Sequence, residues 1–184
     1  MAIGIRAKKA PEGYDLGASK FFGTPTVPAA WDTAYEEDVI FFCQIRMADL
    51  AELDRENRLP HEGYLYIFLH TEEGKYHLTS TVRYADCEPG VALDDFNGEV
   101  EGYEKYTQAW LMEFFEAEDD AVCTRLFGTP SDWNYPDPPP ELLFQYDPLD
   151  GEIDFLDDLD GFLYFFFGPE NTGFDGVTLH SEYT

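Results

Sequence analysis

The chain has 184 residues, enough for one compact core and short for two independent ones. Lys and Arg total 11 against 38 Asp and Glu, a formal net charge of −27 that repels phosphate backbones and excludes DNA, RNA and anionic membranes as direct partners. Hydrophobic residues make up 44% and aromatics 17%, which separates this acidic chain from a disordered acidic tail.

The opening MAIGIRAKKAPEG carries basic residues without the apolar stretch of about 7 to 15 residues that a secretory signal needs. The densest apolar run, residues 162–167, falls far short of the roughly 20 residues of a membrane-spanning helix. The expectation is a cytoplasmic protein with no membrane partner. Cys43, Cys87 and Cys123 cannot all pair internally and lack zinc-finger or CxxC spacing, so they are read as reduced thiols.

In chain order, the first marked feature is SKFFGTP at 19–25, answered by TRLFGTP at 124–130. Residues 39–45 are short, apolar and aromatic, the composition of a strand buried on both faces. Residues 47–57 place Met47, Leu50 and Leu53 at helical spacing and exit at Pro60, which predicts the one clear helix. Residues 64–70 and 76–84 flank a Glu73-Gly74 turn and predict a hairpin whose outward ends lie close together. Residues 107–116 fit both a helical stripe and an alternating strand, and the aromatics favour strand. YPDPPP at 135–140 is a stiff connection that cannot join a sheet ladder, because proline has no amide donor. Strands at 142–146 and 162–167 follow, with 177–180 closing an edge.

The order of these features repeats. Gly23 and Gly128 are 105 positions apart, Gln44 and Gln145 101, and Gly63 and Gly161 98, the drift expected from loop deletions within one plan. The predicted fold class is therefore mainly β with minor α, a single compact domain over 1–184 formed by two degenerate strand-rich repeats, approximately 19–106 and 107–184. Two copies are too few for an open solenoid and are expected to pack around a shared core with a cleft between them.

Chemistry-bearing motifs are sparse. Gly74-Lys75 leads to Tyr76 rather than to a Ser or Thr, so no phosphate loop is present. The acidic segment 147–160 has the oxygen ligands calcium prefers but not the EF-hand order. The predicted hairpin allows His70 and His77 to approach, but a zinc site needs at least one further ligand, and no Cys-His pair is fixed by spacing. No cofactor, metal site or catalytic set is assigned. The matched glutamines can each donate and accept hydrogen bonds at the end of an apolar strand. Gln44, Gln145 and Asp147 are accordingly the candidate ligand or interaction cleft, with satisfaction of backbone groups as the competing role. Arg46, Arg83 and Arg125 are expected to neutralise local carboxylates.

Taken together, the paired Phe-Gly-Thr-Pro segments, FFCQI, LLFQYD, LPHEGYLYIF and LDGFLYFFF resemble the bacterial YwqG-like proteins over approximately residues 19–184. In that family the first motif is usually Gly-Gly-x-Pro, and here Phe22-Gly23 and Phe127-Gly128 stand in its place. The resemblance implies a mainly β, internally duplicated architecture and supplies no activity, since the family is uncharacterised. Some of its members lie beside toxin and immunity genes. The leading expectation is an interaction protein, an acidic inhibitor or immunity-type protein for a basic partner. The alternatives are a module binding a peptide or small polar ligand and, third, a hydrolase.

Overall fold

The β-branched and aromatic runs form strands, as their shape favours on a pleated, packed surface. The computed structural model describes residues 1–31, 39–70, 78–148, 153, 162–168 and 173–181. In chain order the strands are β1 (Ala2–Lys9), β2 (Lys20–Phe21), β3 (Thr26–Val27), β4 (Val39–Arg46), β5 (Tyr64–His70), β6 (Thr79–Ala85), β7 (Val91–Ala92), β8 (Trp110–Ala117), β9 (Arg125–Leu126), β10 (Leu142–Tyr146), β11 (Leu163–Phe166) and β12 (Thr178–Ser181). The protein is mainly β. Its minor helical component, among the described residues, consists of short 3-10 turns.

Two compact units can be distinguished, one of Ala7–Met112 and one of Met1–Arg6 with Glu113–Thr184. In the first, the strands run in the order β8-β2-β4-β5-β6, and β3 pairs with β7. Every residue of β4 before Arg46 is buried. Along β5 the alternation of the pleat sends Tyr64, Tyr66 and Phe68 to one face, where Val27, Val39, Phe41 and Ala85 join them and Trp31, Val91, Leu93 and Phe96 cover them. In the second unit the order is β12-β11-β10-β9-β1, and Leu142, Tyr164 and Phe166 form a cluster packed by Trp133 and Phe162.

Several features occur in both units at the positions the sequence pairs. Tyr64, Tyr66 and Phe68 stack successively with ring centroids 6.1 and 6.4 Å apart, and Phe162, Tyr164 and Phe166 do so at 5.7 and 6.0 Å. Trp31 meets Tyr66 edge-on, as Trp133 meets Tyr164. The β4–β5 ladder shifts register between Phe41 and Cys43, and the β10–β11 ladder between Leu142 and Phe144.

The Phe-Gly-Thr-Pro segments share an unusual backbone. Phe22 and Gly23 have φ of 53° and 73°, and Phe127 and Gly128 have 64° and 85°. Consecutive left-handed residues reverse the chain sharply, a conformation costly for phenylalanine and natural for glycine. It is held by bonds from the Phe22 amide to the Phe42 carbonyl at 3.0 Å and from the Phe127 amide to the Leu143 carbonyl at 3.1 Å.

The helix expected over 47–57 is a single 3-10 turn, Met47–Leu50. Its apolar residues Met47 and Leu50 are buried as the spacing indicated, but the buried Asp54 carboxylate accepts the amides of Arg58 and Leu59 at 3.1 and 2.9 Å. Such a side chain offers the backbone an alternative to helical bonding, and the following Asn57 is left-handed at φ 51°. Strand β1 was not anticipated at all. Its signal was the Ile3/Ile5 alternation. Gly4 between them lies so close to the Phe115 ring that a Cβ would come within 2.3 Å of it.

The hairpin anticipated at 64–84 is present as antiparallel β5 and β6, its turn at 71–77 lying outside the described residues. Gly63, which leads into β5, has φ 72°, and a Cβ there would sit 2.0 Å from the Ala85 carbonyl oxygen. Since backbone rather than a flexible side chain blocks that space, Gly63→Ala is expected to cost about 3 kcal/mol or more, read as a lowered denaturant midpoint with unchanged m-value. A loss below about 1 kcal/mol would show that the strand ends can part without disturbing the ladder.

Candidate functional site

The glutamines are where the two units agree most closely. Gln44 lies opposite Lys20 on β2 and Tyr66 on β5, and Gln145 lies opposite Arg125 on β9 and Tyr164 on β11. Both side chains are fully buried. The Gln44 carbonyl oxygen accepts the Thr26 amide at 3.0 Å, while its Nε2 donates to the Leu16 and Ala18 carbonyls at 3.0 and 3.1 Å. The Gln145 carbonyl oxygen accepts the Ser131 amide at 2.8 Å, while its Nε2 donates to the Cys123 carbonyl and the Ser131 hydroxyl, both at 3.0 Å. Thr26 and Ser131 each directly follow a Phe-Gly-Thr-Pro segment. Each glutamine thus ties the returning loop to its own sheet, and what its amide recognises is the chain itself.

Asp147, the third residue of the expected cleft, is 4% exposed, and its backbone amide donates to the Thr124 hydroxyl at 3.0 Å. Arg46, the residue matched to it, donates its amide to the Ser19 hydroxyl at 2.9 Å. The remainder of the acidic segment falls mostly outside the described residues. Among the described residues no group of three His, Cys, Asp or Glu side chains is placed to hold a metal ion.

Next to each glutamine lies a buried cation that the sequence presented only as one of a few scarce basic residues. Lys20 Nζ donates to the Leu16 carbonyl. Its ammonium lies 5.3 Å from the Tyr14 ring centroid. Loss of hydration pushes its pKa down to about 7 despite the favourable charge of Asp15. Arg125 donates through Nε to the Ala121 carbonyl at 2.8 Å and through its terminal nitrogens to the Phe127 and Thr129 carbonyls and, at 3.4 Å, to Gln145 Oε1. Desolvation lowers its pKa as well. Arg46 does pair with carboxylates, at 2.9 Å from Asp49 and 3.3 Å from Asp15. Arg125 instead binds backbone oxygens, and Arg83 lies 3.7 Å over the Trp31 ring.

The solvent-accessible chemistry gathers elsewhere. A cavity of about 290 Å³ opens where β5 begins and β6 ends, with Glu62, Asp86 and Glu88 on its wall beside His61, Cys87 and Arg46. The Tyr64 hydroxyl donates to Glu88 at 3.3 Å, and the Tyr84 hydroxyl to the Glu62 carbonyl at 3.0 Å. Both phenols are raised, first by desolvation and then by the neighbouring carboxylates, Glu88 for Tyr64 and Asp86 and Glu62 for Tyr84. His61 Nε2 sits 3.2 Å from Asp54. The signal for this site was in the hairpin itself: closing its two outward ends brings Glu62 to Asp86 and Glu88.

The Cys43 thiol is fully buried, and desolvation raises its pKa well above the ordinary value, which keeps it neutral and unreactive. Cys87 is exposed and Cys123 half-buried, both free thiols. His70 shares a 2.7 Å hydrogen bond with the Thr81 hydroxyl, and His180 one of 2.9 Å with the Tyr135 hydroxyl, while His77 lies outside the described residues. Among the described residues no helix is long and apolar enough to cross a membrane. Comparisons of the chain with protein-family models, curated proteins and solved structures return no match.

Proposed function

We propose that this is an internally duplicated, YwqG-like interaction module of the cytoplasm whose partner is a basic protein, in the manner of an acidic inhibitor or immunity protein. The observation that carries the reading is the placement of charge. Among the described residues the buried cations are Lys20 and Arg125 and the buried carboxylates Asp54 and Asp147, so burial withdraws charge of both signs equally and leaves the acidic excess of these residues outside the core. A surface of this sign accelerates encounter with a cationic partner and disfavours nucleic acid or anionic lipid. The matched glutamine, cation and aromatic positions support the duplication. The alternative of a peptide or small polar ligand held by Gln44, Gln145 and Asp147 has less support, because both amides are buried and already hydrogen-bonded within the chain.

The test is kinetic. Basic proteins retained on the immobilised chain from an extract of the source cell are purified singly, and their association rates are measured across ionic strength. The expected result is a partner forming a one-to-one complex whose association rate falls at least roughly tenfold between low and physiological salt, with a much smaller change in dissociation. A rate indifferent to salt for every such partner would remove the steering argument and the proposal with it.

A further inference from the structure

In the unit of Ala7–Met112, Arg83 on β6 lies opposite Tyr66, and its guanidinium sits 3.7 Å over the Trp31 ring. The matched place on β12, opposite Tyr164, holds His180. Its imidazole lies 5.6 Å from the Trp133 ring and 5.1 Å from that of Tyr135, and it shares a 2.9 Å hydrogen bond with the Tyr135 hydroxyl. The tryptophan that one unit covers with its own guanidinium is thus joined in the other by a second ring, Tyr135, which is 4.6 Å away and 46% exposed. The loop presenting this pair is braced by Pro136, Pro138, Pro139 and Pro140, whose fixed dihedrals leave little order to be lost on binding. The exposed Asp132 directly precedes Trp133, and the Trp133 indole donates to the carbonyl of the exposed Asp137 at 3.0 Å, which holds that residue beside the ring.

The charge of this unit points to the same kind of occupant. Of the 11 Lys and Arg residues only Arg125 follows residue 112, against 18 of the 38 Asp and Glu. Arg125 is fully buried. Arg6, which belongs to this unit as well, lies over the Phe115 ring at 5.3 Å, and the amino terminus pairs with Asp119 at 2.9 Å. We infer that Trp133 and Tyr135 anchor an arginine of the basic partner, its guanidinium lying on the aromatic pair with Asp132 and Asp137 at its sides. The inference rests on the reading of the chain as a binder of a basic protein and locates the contact. Tryptophan, tyrosine and arginine are the residue types that dominate binding energy at interfaces, and a guanidinium on an aromatic face is held by the ring quadrupole in addition to the surrounding charge. A second copy of the chain is the wrong occupant, since two bodies of charge −27 repel.

The probe is a capped tetra-arginine peptide, with capped tetra-citrulline as a neutral control of the same shape. Each is titrated at low salt into the full chain carrying nitrogen-15 tryptophan, the Trp133 indole signal being identified by its loss in Trp133→Phe. Tetra-arginine is expected to shift the Trp133 signal and leave that of Trp31 in place, and tetra-citrulline to shift neither. Tyr135→Leu, and separately the pair Asp132→Asn and Asp137→Asn, each with an unchanged unfolding transition, are expected to weaken binding read at Trp133 by about three- to tenfold. Tyr135→Phe keeps the ring and is expected to change it by less than about twofold. The basic partner should rank the variants in the same order. A Trp133 signal unmoved by tetra-arginine, or a basic partner that binds Tyr135→Leu as tightly as wild type, would overturn the anchor and leave the charge-steered function standing. Equal losses in Tyr135→Phe and Tyr135→Leu would trace the effect to the Tyr135–His180 hydrogen bond and overturn the stacking. A Trp133 shift caused by cellohexaose but not by tetra-arginine would give the site to a neutral glycan, and concentration-dependent self-association lost in Tyr135→Leu would give it to a second copy; either result overturns the cationic occupant. An absence of salt-dependent association with every basic protein would remove the function and this anchor with it.

Discussion

Arg125→Ala is expected to destabilise the protein by about 4 kcal/mol or more, placing it among the most damaging single substitutions available to this chain. The guanidinium is fully buried and serves the Ala121, Phe127 and Thr129 carbonyls together with Gln145. Truncation to alanine removes these bonds together and opens a cavity beneath the left-handed Phe127-Gly128 turn, and a buried polar group left unsatisfied costs about 1–3 kcal/mol. Arg125→Lys is expected to fall between wild type and alanine. A lysine reaches a single carbonyl four residues back, as Lys20 does with Leu16 in the other unit, and cannot replace a planar fork serving three. Urea unfolding followed by tryptophan fluorescence would check both. An Arg125→Ala midpoint within about 1 kcal/mol of wild type would mean that water replaces the guanidinium and that the staple is dispensable.

Lys20→Met should have the opposite sign and a dependence on pH. The folded state pushes the Lys20 pKa down to about 7 from its ordinary 10.5, chiefly by desolvation. Below pH 7 both folded and unfolded states carry the proton, and the native state bears the full desolvation penalty. As pH rises from 7 towards 10.5 the folded state sheds its proton first, the unfolded state binds more protons, and the contribution of this group to stability rises. Methionine removes the charge without orphaning a carbonyl, because the Leu16 oxygen still accepts from Gln44 Nε2 at 3.0 Å and from the Thr26 hydroxyl at 3.2 Å. The variant is therefore expected to exceed wild type by a few kcal/mol, on the order of 2–4, near pH 6. That advantage should shrink steadily between pH 7 and pH 10. The raised thiol of Cys43 affects both proteins alike and cancels in the difference. A gap that stays constant across this range would show that Lys20 keeps an ordinary pKa in the native state.

Much of the strand plan is legible along the chain because its signals are local. Residues 39–45, 64–70 and 142–146 are mostly aliphatic and aromatic, and each became a strand buried along nearly all of its length. The ambiguous 107–116 segment became β8, as its aromatics favoured. Local pattern failed where a single side-chain contact decided the outcome. Asp54 took amides that a helix beyond Leu50 would have left to its own carbonyls, and Gly4 kept β1 in place by admitting the Phe115 ring.

For the glutamines, residue type announced an organised polar position but could not say what the amide would meet. The reversal at Phe22-Gly23 and at Phe127-Gly128 folds Thr26 and Ser131 back onto the sheet, where their amides become the partners. The same limit applies to the cations, since whether Arg125 faces carboxylates or carbonyls depends on where a loop returns.

By itself the sequence determined the acidity, the aromatic strands and the ordered pairing of its motifs, because composition and nearest-neighbour sterics act along the chain. Only the tertiary structure decided that the matched amides and two of the cations are interior fastenings while three accessible carboxylates, Glu62, Asp86 and Glu88, meet where β5 begins and β6 ends. Hydrogen bonds and desolvation depend on groups that are remote in sequence and become neighbours only when the chain has folded.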